Sequence, residues 1–143
     1  MPLDAICLRA VLHELRPQLI GARIDKVQQP ARDQIVLLLR GNLRLLLNAG
    51  ANQPRIQLTN ILRDNPAQPP MFCMLLRKHL QNGRIVNISQ PGLERIVHID
   101  IEHLDEMGDL RHKTLVMELM GKHSNLIFCN DDNTIIDSIK RVS

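Results

Sequence analysis

The spacing of apolar and polar positions changes along this chain and divides it into helical and strand-rich parts. Between residues 5 and 20, apolar side chains recur every three or four positions, which predicts an amphipathic helix. Asp4 is the predicted N-cap, and Pro17 is predicted to end or bend the helix. The predicted buried stripe consists of Ile6, Cys7, Val11, Leu12, Leu15 and Leu19.

Short β-type segments follow Gly21. Strands are predicted at residues 22–28, 34–40, 43–48 and 55–58, with turn-forming residues at 29–33, 41–42 and 48–52. The pair Gly41-Asn42 predicts a two-residue hairpin between the second and third strands. The first half of the chain is therefore predicted to be a helix followed by an antiparallel meander.

A second helix is predicted over residues 70–82, and the rest of the chain is expected to pack around it. Pro69 and Pro70 fix φ at its start, and Gly83 is the predicted left-handed residue at its end. Its predicted apolar side carries Met71, Phe72, Met74, Leu75, Leu76 and Leu80, and its polar side carries Arg77, Lys78, Gln81 and Asn82.

The second half is again strand-rich, with strands predicted at residues 84–90, 95–104, 110–120, 125–130 and 134–139. Within 95–104, Val97, Ile99 and Ile101 alternate with polar residues, so one face is predicted to be buried. A simple hairpin at the following turn places His112 opposite Glu102, and it adds Leu115, Met117 and Leu119 to the apolar face. The predicted fold class is α+β, an antiparallel β-sandwich-like domain with an N-terminal helix and a central helix.

Composition narrows the function classes. The 143 residues favour one domain, and the absence of Trp and Tyr predicts an aliphatic core. Proteins that read single-stranded nucleic acid stack bases on several aromatic side chains, which this chain lacks. Its net charge is +3, and 13 of its 18 basic residues are Arg, the side chain best suited to paired contacts with phosphate. A nucleic-acid partner would therefore be recognised by backbone and shape.

The cysteines and the first residues indicate a cytoplasmic protein. Cys7, Cys73 and Cys129 are far apart and lie among apolar neighbours, so they are predicted to be reduced core thiols and not disulfides or zinc ligands. Charged residues interrupt the first 20 positions and every long apolar stretch, which argues against a signal peptide or a membrane span.

Three polar clusters are candidate sites for metal binding, acid–base catalysis or contact with phosphate. His98, Asp100 and Glu102 share one strand face, near His103 and His112, in a spacing that suits a metal or acid–base catalysis. A solvated strand face has the same pattern and is the preferred interpretation, so no metal or cofactor is predicted. Motifs for nucleotide hydrolysis, acyl transfer and zinc proteases do not occur.

The other two clusters are cationic. Arg77, Lys78 and His79 lie in the last predicted turn of the central helix, where the helix dipole favours cations, and a contact with phosphate is the alternative. Lys122 and His123 lie in a short segment, residues 121–125, that is either a plain turn or a phosphate-contacting loop.

Pro2 raises one catalytic alternative. Removal of Met1 would expose the secondary amine that formamidopyrimidine-type DNA glycosylases use as a nucleophile, and the predicted fold is similar to their first domain. Those enzymes follow the proline directly with Glu, whereas this chain has Leu3 and reaches a carboxylate at Asp4. The zinc finger and the helix-two-turn-helix part of those enzymes are also missing.

The run Pro-Pro-Met-Phe-Cys-Met-Leu-Leu-Arg-Lys-His at 69–79 resembles the NFACT-N domain of the RqcH/FbpA family. Further landmarks agree along residues 1–143: Leu-Asp at 3–4, His-Glu-Leu at 13–15, Gly-Ala-Arg-Ile-Asp-Lys at 21–26, Gln-Pro at 29–30, Gly-Leu-Glu-Arg-Ile at 92–96, Glu-Met-Gly-Asp at 106–109, Met-Gly-Lys-His-Ser-Asn at 120–125 and Ile-Ile-Asp-Ser-Ile-Lys at 135–140. The chain stops without a terminating signal, so a longer parent protein is expected.

This resemblance implies a role in bacterial ribosome quality control. Such proteins bind the large ribosomal subunit that still carries peptidyl-tRNA, recruit alanyl-tRNA and direct addition of an untemplated alanine tail. The peptide bonds form on the ribosome, so the domain is expected to bind tRNA and not to be an enzyme. Some members were also described as fibronectin-binding adhesins, a class that fits poorly with three free thiols and no signal peptide.

The family's residues tied to tailing are an Asp near the start and an Asp-Arg pair after the central helix. By resemblance they correspond to Asp4, Glu94 and Arg95. Glu94 departs from the usual Asp, and its extra methylene keeps the charge but moves it by about a bond length. Asp4 has a second interpretation as the cap that orders the first helix.

Overall fold

The computed structural model describes residues 4–60 and 65–140. Within these ranges the chain forms two α-helices, nine strands and one short 3-10 turn. The elements are α1 (Ala5–Leu19), β1 (Ile24–Ala31), β2 (Gln34–Leu39), β3 (Leu43–Asn48), β4 (Arg55–Leu58), α2 (Met71–Leu80), β5 (Arg84–Ser89), β6 (Ile96–Leu104), β7 (Leu110–Glu118), the 3-10 turn (Gly121–His123), β8 (Asn125–Cys129) and β9 (Ile135–Ser138).

The strands form two antiparallel sheets, and each sheet follows the order of the chain. β1 to β4 form the first sheet and β5 to β9 the second. The sheets are joined where Arg23 pairs with Arg84. Around this pair, the Ile24 amide donates to Gly83 O (2.8 Å) and the Ile85 amide to Ala22 O (2.9 Å). We call this junction between the two sheets the seam. The predicted α+β class with an N-terminal and a central helix is confirmed.

Helix α1 begins as predicted, because the Asp4 carboxylate accepts a hydrogen bond from the Cys7 amide at 2.7 Å. The predicted buried stripe is partly wrong. Its buried residues are Leu8, Leu12, Leu15 and Leu19, whereas Ile6 is 72% exposed and Cys7 is also exposed. One stripe about three turns long, from Leu8 to Leu19, faces the core, and Ile6 and Cys7 lie outside it. Pro17 does not end the helix, because it removes only one amide donor in the last turn.

Helix α2 is shorter than predicted and shows a different face to the core. Phe72, Cys73, Leu76 and Leu80 are buried, whereas Met71 and Met74 are 71% and 53% exposed. The left-handed residue at its end is Asn82 (φ 69°), and not Gly83. Gly83 has a different role: a Cβ there would lie 2.9 Å from the carbonyl oxygens of Glu102 and Leu80, so only glycine fits.

The first sheet differs from the prediction at two turns. β1 continues to Ala31, so only Arg32 and Asp33 remain of the turn predicted at 29–33. In the next hairpin Leu39 pairs with Leu43, which leaves a three-residue turn in place of the predicted two. Arg40 leaves the ladder because its amide donates to Arg23 O at 2.9 Å.

The second sheet follows the predicted pattern. Val97, Ile99 and Ile101 of β6 are buried, and Leu115, Met117 and Leu119 are buried beside them. Glu102 lies opposite His112, as the simple hairpin predicted. On the outer face, the Thr114 hydroxyl donates to the Asp100 carboxylate at 2.8 Å.

One hydrophobic core holds residues of both helices and both sheets, and its side chains are almost all aliphatic, with Phe72 and Phe128 as the aromatic members. Cys73 and Cys129 are buried thiols as predicted, and burial raises the pKa of both. Cys7 was predicted to be buried and is exposed, because it lies outside the buried stripe of α1. Neither helix in residues 4–60 and 65–140 has the length and apolar character needed to cross a bilayer.

The face of α1 can be tested with two substitutions of similar size. Leu8→Ala should lower the free energy of unfolding by about 2–5 kcal/mol, because it leaves a cavity beneath the helix. Ile6→Ala removes an exposed side chain and should change the free energy by about 0.5 kcal/mol or less. Urea unfolding of both variants measures the difference. Equal losses would contradict the observed orientation of the helix.

A pair of histidines links α2 to the second sheet. The ring of His79 lies edge-on to the ring of His103, with centroids 6.3 Å apart, and 5.6 Å from the ring of Phe128. Burial lowers the pKa of both imidazoles, and the nearby charge of Lys113 lowers it further. Lys78 acts in the same direction on His79, while Asp105 partly opposes the effect on His103.

This pair predicts a loss of stability in acid. Because the folded-state pKa values lie below the ordinary 6.5, the unfolded chain takes up protons first as the pH falls. The contribution is therefore present above about pH 6.5 and is lost as the pH falls through the folded-state values. Thermal unfolding between about pH 7.5 and 5 should show a steeper decline for wild type than for His79→Gln. Parallel declines would contradict this role of His79.

Candidate functional site

Asp4, Glu94 and Arg95 lie around one shallow surface cavity, although about ninety positions separate Asp4 from the other two. The cavity has a volume of about 480 Å³ and is also lined by Ala5, Leu93 and Met120. The side chains of all three predicted residues are exposed to solvent. The fold thus brings together the residues that the resemblance singled out.

Two sets of hydrogen bonds position this cavity. The Gln90 side-chain amide donates to Ala5 O at 3.0 Å and to Glu94 O at 2.7 Å, so it ties the start of α1 to the segment before β6. The carbonyl oxygen of Arg95 accepts from the Leu119 amide at 2.9 Å, which fixes the backbone of Arg95 against the end of β7. Gln90 was not among the predicted site residues.

The charged side chains of the cavity differ in how many partners they have within the protein. The pKa of Asp4 lies below its ordinary value, mainly because its carboxylate accepts hydrogen bonds from Cys7, with a smaller effect from Arg95. One oxygen of the Asp4 carboxylate, Oδ1, is therefore engaged in capping α1. Arg95 forms no ion pair within the described ranges, so its guanidinium N–H groups are available to an outside acceptor.

Arg95 also lines a second and larger cavity, between α1 and the edge strand β4. This groove has a volume of about 850 Å³, and apolar side chains such as Leu15, Ile56 and Leu119 form part of its lining. Arg55 lies on the same groove, and its buried Nε has no hydrogen-bond partner within the part of the chain that the structure describes. The groove therefore combines apolar surface with two guanidinium groups.

Lys122 and His123 lie close to these cavities. They belong to the 3-10 turn, whose first residue, Gly121, lines the larger cavity, and Met120 just before the turn lines the smaller one. The buried Ser124 hydroxyl accepts from the Met120 amide at 2.8 Å and holds the turn in place. The segment is thus a turn, and it leaves both cationic side chains exposed.

Arg77 and Lys78 line a different cavity, of about 620 Å³, beside α2. Arg77 is half-buried, and its Nε donates to Val27 O at 2.8 Å, so it helps to hold α2 against β1. Lys78 is exposed. The structure therefore separates these two cations from Asp4, Glu94 and Arg95.

A cationic groove was missed by sequence reasoning. Arg9, His13 and Arg16 of α1 line a cavity of about 430 Å³ together with the end of β5 and the following loop. Arg16 also donates a hydrogen bond to Ile88 O. Leu93 lines both this groove and the Asp4 cavity, so the two adjoin at this residue. The spacing i, i+4, i+7 of the three cations was the available signal.

The strand face of His98, Asp100 and Glu102 and the amine of Pro2 are the other two candidate sites from the sequence. Among the described residues, no group of three or more His, Cys, Asp or Glu side chains is arranged to hold a metal ion, the strand face of His98, Asp100 and Glu102 included. Pro2, the nucleophile of the glycosylase alternative, lies outside the described residues.

Comparison with known proteins identifies relatives of the whole chain. Residues 4–143 match the family described as NFACT N-terminal and middle domains. The chain is 40% identical to the Rqc2 homolog RqcH of Bacillus subtilis over 100% of its length, and 36% identical to the human ribosome quality control complex subunit NEMF over 96%. The N-terminal domain of the fibronectin-binding protein PavA from Streptococcus pneumoniae superposes with a TM-score of 0.95 at 41% identity over 99% of the chain.

The chain spans only part of each of these proteins. It covers 26% of the Bacillus subtilis protein, 12% of human NEMF and 55% of the solved PavA chain.

The role of Gln90 can be tested by truncation. Gln90→Ala should lower the free energy of unfolding by about 1–3 kcal/mol, because two hydrogen bonds between α1 and the segment before β6 are lost. Hydrogen exchange should speed up at the amides of residues 92–95. Gln68→Ala, at an exposed loop position, is the matched control and should change neither quantity. Unchanged exchange in Gln90→Ala would show that Gln90 does not order the site.

Proposed function

This chain belongs to the NFACT family, and we propose that it is the tRNA- and ribosome-binding module of a bacterial ribosome quality control factor. In this proposal, the factor acts in the cytoplasm on stalled large ribosomal subunits that carry peptidyl-tRNA. It recruits alanyl-tRNA and directs the addition of an untemplated alanine tail. Relatives named as ribosome quality control factors in bacteria and humans support the general role.

The observation that carries the proposal is the guanidinium of Arg95, which has no ion pair among residues 4–60 and 65–140 and lies near further basic side chains of α1. Arg95 offers a planar fork of donors that fits two phosphate oxygens at once. Arg9 and Arg16 add positive charge on one side, and the exposed Lys122 lies near the cavity on the other. A row of such groups suits the sugar–phosphate backbone of a folded RNA.

The two carboxylates have a different role in this proposal. Asp4 and Glu94 repel phosphate, but each can accept a hydrogen bond from a ribose hydroxyl or a base amino group. Carboxylates beside a phosphate-binding arginine would therefore fix the orientation of the tRNA. Glu94 fills this role with one more methylene than the usual family residue.

We further propose that residues 1–143 form a binding domain of a longer protein and not an enzyme. Peptide-bond formation would remain with the ribosome. The similarity to the first domain of formamidopyrimidine-type glycosylases stays a prediction about the fold.

A second candidate function is binding of fibronectin. The observation that favours it is the close structural match to the N-terminal domain of a protein named for fibronectin binding. Fractionation of cells that express the full-length protein separates the two proposals. A pool confined to the cytoplasm would remove the adhesin role, whereas a surface-exposed pool that binds fibronectin would support it.

Arg95→Ala should weaken binding of alanyl-tRNA by the full-length protein by about tenfold or more, because a charge-assisted contact contributes roughly 1.5–3 kcal/mol. The slope of the logarithm of the binding constant against the logarithm of salt concentration should become shallower by about 1, the amount expected for one lost phosphate contact. Filter binding at two salt concentrations measures both. Arg40→Ala is the matched control, since Arg40 is 66% exposed and pairs with Asp25 on the surface. Equal affinities of the two variants would refute the assignment of Arg95.

The role of the Asp4 charge is tested with a variant that keeps the cap of helix α1. Asp4→Asn retains a side-chain oxygen for the Cys7 amide but removes the charge. Reduced discrimination between tRNA species with unchanged stability would support the orienting role. If tRNA discrimination by Asp4→Asn equals that of wild type, the carboxylate of Asp4 serves only as a cap.

A further inference from the structure

The hairpin between β6 and β7 presents large apolar side chains to solvent at its tip. Leu104 and Leu110 face each other across the two strands and are 69% and 56% exposed. Met107, in the turn between them, is 87% exposed. We call residues 104–111 the hairpin tip. Three exposed side chains of this size in eight residues form a compact apolar projection.

The hairpin tip is held in one conformation by Asp105. One carboxylate oxygen accepts from the amides of Met107 and Asp109, each at 2.9 Å, and the other accepts from Arg111 Nε at 3.0 Å. These bonds, led by the one from the Asp109 amide, lower the pKa of Asp105. Backbone bonds between Asp105 and Asp109 (2.9 Å) and between Gly108 and Asp105 (3.0 Å) close the turn. An ordered projection loses little conformational entropy when it is bound.

The surroundings of the tip are acidic. Asp105, Glu106 and Asp109 lie within it, and Asp131 of the neighbouring turn approaches Arg111 Nη1 at 4.0 Å. Arg111, the one cation within residues 104–111, is already engaged by Asp105 and Asp131. A phosphate backbone would be repelled here, whereas a basic protein surface with an apolar recess is complementary in both charge and shape.

The tip lies far from the cationic site. Arg95 directly precedes β6 and Leu104 ends it, so a strand of nine residues separates the two. At about 3.3 Å per residue this separation is roughly 30 Å. RNA bound near Arg95 and a protein bound at the tip would therefore not compete for the same surface.

We propose that the hairpin tip docks into an apolar recess on a basic protein of the large ribosomal subunit. This inference rests on the proposed function, because that function supplies the subunit as the partner. The apolar side chains of the tip give the contact its affinity, and the acidic rim selects a basic partner. The tip is thus a protein-binding element, separate from the proposed RNA-binding surface around Arg95.

The direct test is a crosslink from position 107. The protein, at its full natural length and with photoreactive benzoylphenylalanine in place of Met107, is irradiated with purified large subunits that carry peptidyl-tRNA. The expected product resists ribonuclease and contains one basic ribosomal protein. A product that ribonuclease removes, a crosslink within the protein itself, or no crosslink while the protein still sediments with subunits would each overturn the proposal.

Affinity gives a second measurement. Leu104→Ser with Met107→Ser should weaken subunit binding by about tenfold, and circular dichroism checks that the fold is retained. Met71→Ser with Met74→Ser is the control, because these side chains are also apolar and exposed, on α2. Equal binding of the tip variant and the control overturns the docking role and leaves the proposed function standing. If wild-type protein does not bind subunits, the proposed function and this inference fail together.

Discussion

The close backbone contact at Gly83 is the constraint on which the rest of the structure depends. A side chain there would collide with the carbonyl oxygens of Glu102 and Leu80, each 2.9 Å from the position of a Cβ. Because the position is glycine, α2 can end, β5 can begin beside β6, and the seam can form with Ala22, Arg23 and Ile24. The seam joins the two sheets, and one core then serves both.

The seam also explains which edge of the first sheet is left open to a groove. It joins β1 of the first sheet to β5 of the second, whereas β4, at the other edge of the first sheet, has β3 as its one strand partner among residues 4–60 and 65–140. The groove of about 850 Å³ lies beside β4, between it, α1 and the end of β7. The backbone of Arg95 is fixed to Leu119 at this groove, so the position of this charged side chain follows from the pairing of β6 with β7 within the second sheet.

Charge is distributed in a way that suits two kinds of partner. The exposed face of α1 and the turn at 121–123 carry cations near Arg95, and the far end of β6 carries carboxylates around apolar side chains. The small net charge of +3 conceals this separation. In the two proposals above, RNA would bind at the end that carries Arg95 and protein at the far end of β6, so the two partners would not compete.

The sequence by itself determined the element types, most strand positions, the Asp4 cap, the buried face of β6 and the pairing of Glu102 with His112, because these follow from local periodicity and neighbouring strands. It also carried the family resemblance. It did not determine which faces of α1 and α2 are buried, because Ile6, Met71 and Met74 suit a core as well as the buried residues do. The role of Gly83 and the meeting of Asp4 with Arg95 arise between segments far apart in the chain. Only the tertiary structure decided these, since contacts across such distances depend on how the two sheets join and leave no periodic signal in the sequence.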